Sequence, residues 1–236
     1  MHTRSISFAC VALLAACATR SISDSGYPGY GSARPNFAGE LNELELLGAA
    51  PDSPLSENDV GNLAVLKDRA LEVPKGSKVI LIQSGAVMPD EDMIDAMAQN
   101  YTVVPVSGVP FSADRPSGSL GRGLRAMAAK GGASTIVCYW GVLETSRNAN
   151  AGKSVSWVPV AGWFTPDESQ EMRIRLKMAV IDVTTGRWEF LLPKVYSDQA
   201  ASSLATRERS DQDQVALLKR AGYRAAAEEL VRKFGK

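Results

Sequence analysis

Between residues 78 and 145 the sequence switches repeatedly between two periodicities, and that switching limits the folds open to it. Residues 78–83 (Lys-Val-Ile-Leu-Ile-Gln) form a short β-branched run of the kind a buried strand uses. Ser84-Gly85 turns the chain, and Pro89-Asp90-Glu91-Asp92 opens a helix to about Gln99, with proline and acids where a helix N-terminus favours them. Residues 101–106 form a second strand, ended by Gly108 and Pro110. Leu120, Leu124, Met127 and Ala128 fall on one face of a helix that stops at Gly131-Gly132. Residues 134–145 make a third strand. Strand, helix, strand, helix, strand in this order predicts parallel pairing with helices packed on the sheet.

The pattern then changes. Met172, Ile174, Leu176, Met178 and Val180 alternate with Arg173, Arg175 and Lys177, as in a strand with one buried and one polar face. Thr184-Thr185-Gly186 makes a tight connection, and residues 187–192 return as the partner strand. Ser210, with Asp213 three residues on, is read as the cap of a last helix whose apolar face is Val215, Leu218, Gly222, Ala226 and Leu230. Upstream, a loop at 48–54 precedes a capping-box-like Ser56-Glu57-Asn58-Asp59 and a helix to about residue 71. The expected fold is α/β with a mixed sheet. It has a three-stranded βαβαβ core, an antiparallel hairpin added to it and a C-terminal helix packed on the sheet, all in one domain over 38–236.

The N-terminus reads as targeting. A short charged start is followed by an apolar run from Ile6 to Leu14, too short to span a bilayer as a mature helix, and then by Leu14-Ala15-Ala16-Cys17. This resembles the bacterial lipobox, which implies removal of residues 1–16 and lipidation of Cys17; several acyl chains on one residue make a stable anchor where one chain does not. The residue after Cys17 is Ala18, not Asp, which in the sorting of such lipoproteins implies the outer membrane. Residues 17–37 then read as the lipidated cysteine and a flexible Ser/Gly/Pro-rich tether. The expected location is the periplasmic face of the outer membrane, with the protein held there by its N-terminal lipid.

Removal of that signal changes the available chemistry. The sole histidine, His2, leaves with it, and with it go Ser-His-Asp and Cys-His catalysis, His-ligated metals and histidine pH switching. Cys10 leaves and Cys17 is lipidated, so Cys138 is the one remaining thiol and no intramolecular disulfide can form; within Thr135-Ile-Val-Cys-Tyr-Trp140 it reads as a buried structural residue. Loss of Arg4 leaves 25 basic against 26 acidic residues, which gives no case for nucleic-acid binding.

The remaining motifs are weak. Gly152-Lys153-Ser154 ends like a phosphate loop but lacks the first glycine, since position 147 is Arg. The glycines of Gly118-Ser-Leu-Gly-Arg-Gly123 are misordered for a dinucleotide fingerprint. Asp90, Glu91, Asp92 and Asp95 read as helix N-terminal charge, and Arg173, Arg175 and Lys177 as a solvated sheet face. Ser84 follows a strand without a nucleophile elbow. No catalytic residue, cofactor site or metal site is assigned; a His-independent Ser/Lys hydrolase stands as a distant alternative.

The aromatics carry more. All four tryptophans, Trp140, Trp157, Trp163 and Trp188, fall between 140 and 188. Trp157, Trp163 and Phe164 lie in an apolar segment broken by proline and glycine, which suits a partner or membrane-interface contact, or a lid packed back on the domain.

The run Gly132-Ala-Ser-Thr-Ile-Val137, then Arg173 through Asp182-Val183-Thr184-Thr185-Gly186-Arg187-Trp188, then Ala225-Ala-Ala-Glu-Glu-Leu230 resembles bacterial envelope lipoproteins of the CsgG type. That core is shared by the TolB N-terminal domain and by LpoB, and the resemblance covers about residues 75–234. It implies a mixed α/β sandwich and a non-catalytic role in envelope assembly, through an envelope protein partner or copies of the same chain. The CsgG branch forms an oligomeric secretion pore from hairpins, one of which would correspond to residues 146–171. Such a strand needs 9–11 alternating residues, whereas the alternation here runs from Ser154 to Val158 and breaks at Pro159.

Overall fold

The computed structural model describes residues 18–24, 37–48, 70–110, 119–149, 168–202 and 207–236. Within them, one mixed sheet contains β1 (Ala18–Ser21), β2 (Lys78–Gln83), β3 (Thr102–Val106), β4 (Thr135–Ala149), β5 (Glu168–Asp182), β6 (Trp188–Leu191) and β7 (Tyr196–Ser202). The helices are α1 (Glu43–Leu47), α2 (Glu91–Ala98), α3 (Ser119–Lys130) and α4 (Arg207–Phe234). The strand path is β3-β2-β4-β5-β6, with β1 also on β4 and β7 also on β5. β2 pairs in parallel with β3 and β4, as the alternating pattern predicts. The other pairings are antiparallel.

Side chains two apart on a strand share a face, and that period sorts the core into two layers. Val79 and Leu81 of β2, Val137 and Tyr139 of β4, and Ile174 through Val180 on alternate positions of β5 pack under α2 and α4. Ile80, Ile82, Ile136, Cys138, Trp140, Ala179 and Ile181 point to the other side, under α1 and α3. Cys138 is fully buried, and that burial is the main reason its thiol is pushed well above its ordinary pKa. In α4, Val215, Leu218, Ala226 and Leu230 are buried as the spacing predicts, and Gly222 allows close approach: a Cβ there would stand 2.9 Å from Ile174 Cγ2. In α3, Ala128 is buried and Leu120 and Leu124 are partly buried, but Met127 is exposed.

β4 and β5 are both longer than the residue pattern suggests. They pair along fifteen residues, from Thr135 opposite Asp182 to Ala149 opposite Glu168. β2 and β6 flank the inner part of this ribbon; β1 and β7 flank the outer part. The last helix begins at Arg207, so Ser210 lies inside it and is not its cap. Residues 18–24, read from composition as tether, are β1 and a 3-10 turn (Ile22–Asp24). The expected helix from 56 to about 71 lies outside the described residues as far as 69, and residues 70–71 are not helical; the apolar segment 155–164 lies wholly outside them.

Candidate functional site

In open α/β sheets the usual ligand crevice lies at the carboxyl ends of the parallel strands, where strand order reverses. Here that point is between β2 and β4, because β3 is added on one side of β2 and β4 on the other. β2 ends in Gln83, followed by Ser84 and the turn at Gly85, whose φ is 80°. Two polar residues closing an apolar strand make a local departure from its pattern, and both are buried, with Gln83 only 1% exposed.

Each has partners. Gln83 Oε1 accepts from the Tyr139 hydroxyl at 2.6 Å and from the Asp90 backbone N–H at 2.7 Å. Gln83 Nε2 donates to Ser23 Oγ at 3.0 Å, and the Ser23 hydroxyl donates to the Ser84 carbonyl at 2.6 Å. Ser84 Oγ accepts from the Leu41 N–H at 2.7 Å, and the Ser84 N–H donates to the Tyr139 carbonyl at 2.9 Å. Trp140 Nε1–H donates to the Leu41 carbonyl at 3.1 Å. Paired in this way, buried polar groups avoid the penalty of about 1–3 kcal/mol that each would carry if left unsatisfied.

The second half of the network belongs to α4. Lys219 Nζ donates to Asp90 Oδ2 and to the Ile22 carbonyl, both at 2.9 Å, and its side chain is 14% exposed. The Tyr223 hydroxyl donates to Asp90 Oδ2 at 2.5 Å. Tyr139 and Tyr223 meet edge to face at 5.8 Å between ring centroids. Burial is the first cause holding both phenols well above their ordinary pKa; Asp90 also raises Tyr139, while Tyr139 and then Asp90 raise Tyr223. Both therefore remain hydrogen-bond donors across the neutral range.

The crevice is thus closed by the chain itself. Ile22 is 2% exposed and lies over Gly141, where a Cβ would stand 2.9 Å from Ile22 Cγ2 and 2.7 Å from Leu176 Cδ2. A glycine inside a strand marks such a close approach of another element. Gly141 and the Gln83-Ser84 pair were the available sequence signals for this site. Most of its bonds join residues 43 to 197 positions apart, which local patterns do not report.

The other singled-out residues are placed as follows. Asp90 is the residue before α2, but its side chain makes no cap bond and instead docks α4; Asp92 likewise meets Arg220 at 3.0 Å. These acids join two helices in addition to lying at a positive helix end. Arg173 and Arg175 are 45% and 55% exposed and share Glu144, at 3.6 and 3.1 Å, while Lys177 meets Glu43 at 2.6 Å and lies over the Phe190 ring. Trp188 is exposed and packs edge to face on Phe190. Cys17, Trp157, Trp163, Phe164 and Gly152-Lys153-Ser154 lie outside the described residues.

The described residues form an α/β fold with its own N-terminal segment folded into the carboxyl-end crevice. The family model of the YafT bacterial lipoproteins matches residues 42–233, and the chain belongs to that family. It is therefore a lipoprotein of the bacterial envelope. No curated protein matches it. Among solved structures, the hypothetical protein CT253 from Chlamydia trachomatis is similar at a TM-score of 0.31 and 9% identity, over 68% of this chain and 98% of that one.

Proposed function

We propose that this lipoprotein is a non-catalytic binding or assembly protein, anchored through Cys17 at the periplasmic face of the outer membrane. The observation that carries the reading is the closed crevice. The place where an open α/β sheet would take a small ligand is filled by Ile22 and Ser23, and Gln83, Ser84 and Asp90 are all engaged there. A mature chain without histidine supports the same reading, since it lacks the commonest general base. Ala18 after the lipidated position supports the outer membrane, and the CsgG-type resemblance supports a role in envelope assembly. Trp157, Trp163 and Phe164 are the proposed contact residues.

The test is crosslinking in cells with a photoreactive residue at 157, 163 or 164, followed by identification of the captured protein. One defined envelope partner, or the same chain, captured from the outer-membrane fraction supports the proposal. Unchanged co-purification of that protein and unchanged membrane association in a Trp157→Ala/Trp163→Ala/Phe164→Ala variant would remove these residues from it. A CsgG-type pore is favoured by one feature, the fifteen-residue length of β4 and β5. To form one, neighbouring subunits would have to replace β1 along Val142–Thr145 and β7 along Glu168–Ile174. Purified protein that forms rings in detergent and conducts in planar bilayers would establish that alternative; a monomer without conductance would end it.

A further inference from the structure

The strand β1 begins one residue after Cys17. It runs antiparallel to β4, with Ala18 opposite Thr145 and Ser21 opposite Val142. Read backwards, from Ser21 to Ala18, the chain therefore travels outward along β4, away from the turns at Gly132 and Gly186. Consecutive Cα atoms are about 3.8 Å apart, so the covalent bond alone keeps Cys17 within one peptide of Ala18, which stands opposite Thr145.

Four attachments besides the β1 ladder hold this segment. Ile22 is buried over Gly141. The Ser21 hydroxyl donates to Glu40 Oε1 at 2.6 Å. Ser23 joins Ser84 and Gln83, and Lys219 holds the Ile22 carbonyl. A flexible linker of about 20 residues would give a root-mean-square reach of roughly 25 Å and leave the domain free to tumble beneath its anchor. The interval from Cys17 to the sheet is one residue.

We infer that the lipid anchor is fixed to the fold rather than tethered, so that the domain meets the bilayer in one orientation. The outer end of the sheet, from the level of Thr145, Met172 and Asp198 to Ala149, Glu168 and Ser202, faces the lipid headgroups. The opposite end of the sheet, at Gly76, Gly132 and Gly186, faces the periplasm. The ten residues from Thr135 to Thr145 separate the two levels by about 33 Å. This surface and its partner, a phospholipid headgroup layer, rest on the reading that Cys17 is lipidated.

The experiment uses the full lipidated chain in nanodiscs containing a small fraction of gadolinium-chelate lipid, with methyl-labelled Ile, Leu, Val and Met. Paramagnetic relaxation at Leu143, Met172 and Ile174 is expected to exceed that at Ile136, Ile181 and Val183 by about tenfold or more, given a separation of some 30 Å. An Arg20→Pro variant, which removes a backbone N–H and constrains β1, is expected to shrink that ratio toward one while its mass still shows the acyl groups. Acylated wild-type protein with equal relaxation at both ends, or more at Ile181 and Val183, overturns the fixed orientation alone. A mature mass without acyl groups overturns the lipid reading at Cys17, and the orientation with it.

Discussion

Along their fifteen paired residues, β4 and β5 are covered in two different ways. The inner part, from Thr135 to Tyr139 on β4, has parallel β2 beside it and hydrophobic layers on both faces. The outer part has short antiparallel β1 and β7 at its edges, α4 on one face, and Glu144, Arg173 and Arg175 on the other. The inner part is an α/β core that buries enough apolar surface from its own strands and helices. The outer part depends on distant pieces of chain: β1 lies more than 120 positions before its partner residues. The two meet at Gly141, under Ile22, beside the Gln83–Asp90–Lys219 network.

Substitution at that junction should have the largest effect. Gly141→Val places methyl groups against Leu176 and Ile22, and overpacking of this kind costs about 3 kcal/mol. A lower midpoint in urea with unchanged slope is expected. A neutral result would mean that Ile22 does not sit over the strand.

Ile22→Ala comes next. It is expected to lower stability by about 2 kcal/mol and to make the N-terminal segment sensitive to protease, while the inner sheet keeps its protection. Equal loss of protection in both regions would show that they are one cooperative unit, and the comparison would fail.

Tyr223→Phe removes the hydroxyl that donates to Asp90 and is expected to cost about 1 kcal/mol at neutral pH. The pH dependence sharpens this prediction. Tyr139 and Tyr223 are raised above the ordinary value of 10.0, mainly by burial, so the unfolded chain gives up those protons first. Their contribution is fully present below pH 10 and is lost as pH rises toward the folded-state values. Tyr223→Phe should therefore show a shallower alkaline decline than wild type in urea midpoints measured above pH 10; an equally steep decline would contradict the buried phenol.

Arg173→Ala should do least, about 0.5 kcal/mol or less, because the pair with Glu144 is largely solvated and Arg175 remains beside it. A thermal midpoint shift of several degrees would assign the polar face a structural role that the geometry does not give it.

The inner part was legible in the sequence because its signals are local. Lys78–Gln83 is strand by its β-branched run, and the periods of α2, α3 and β5 are set by neighbouring residues. The outer part was not. β1 is Ala-Thr-Arg-Ser and β7 is Tyr-Ser-Asp-Gln-Ala-Ala-Ser, neither with an alternating apolar pattern, and their strand form comes from the edges they pair with. Within their own segment the acids at α2 show only charge at a helix end; their bonds to Lys219, Arg220 and Tyr223 come from α4, about 130 residues away. Gly141 and the Gln83-Ser84 pair are the residues of the junction whose types depart from their strands, and it takes the positions of Ile22, Leu176 and Ser23 to explain them.

The residues just after Cys17 are part of the sheet and close its crevice. Native-state hydrogen exchange on the mature chain tests this most directly, at the amides of Thr19–Ile22 and at the Leu41 N–H that donates to Ser84. The β1 amides engaged with β4, and Leu41, are expected to exchange far more slowly than an unstructured peptide, and Ile22→Ala is expected to release them together. Exchange of these amides at the unstructured rate, while Val79–Ile82 and Ile136–Tyr139 stay protected, would contradict it.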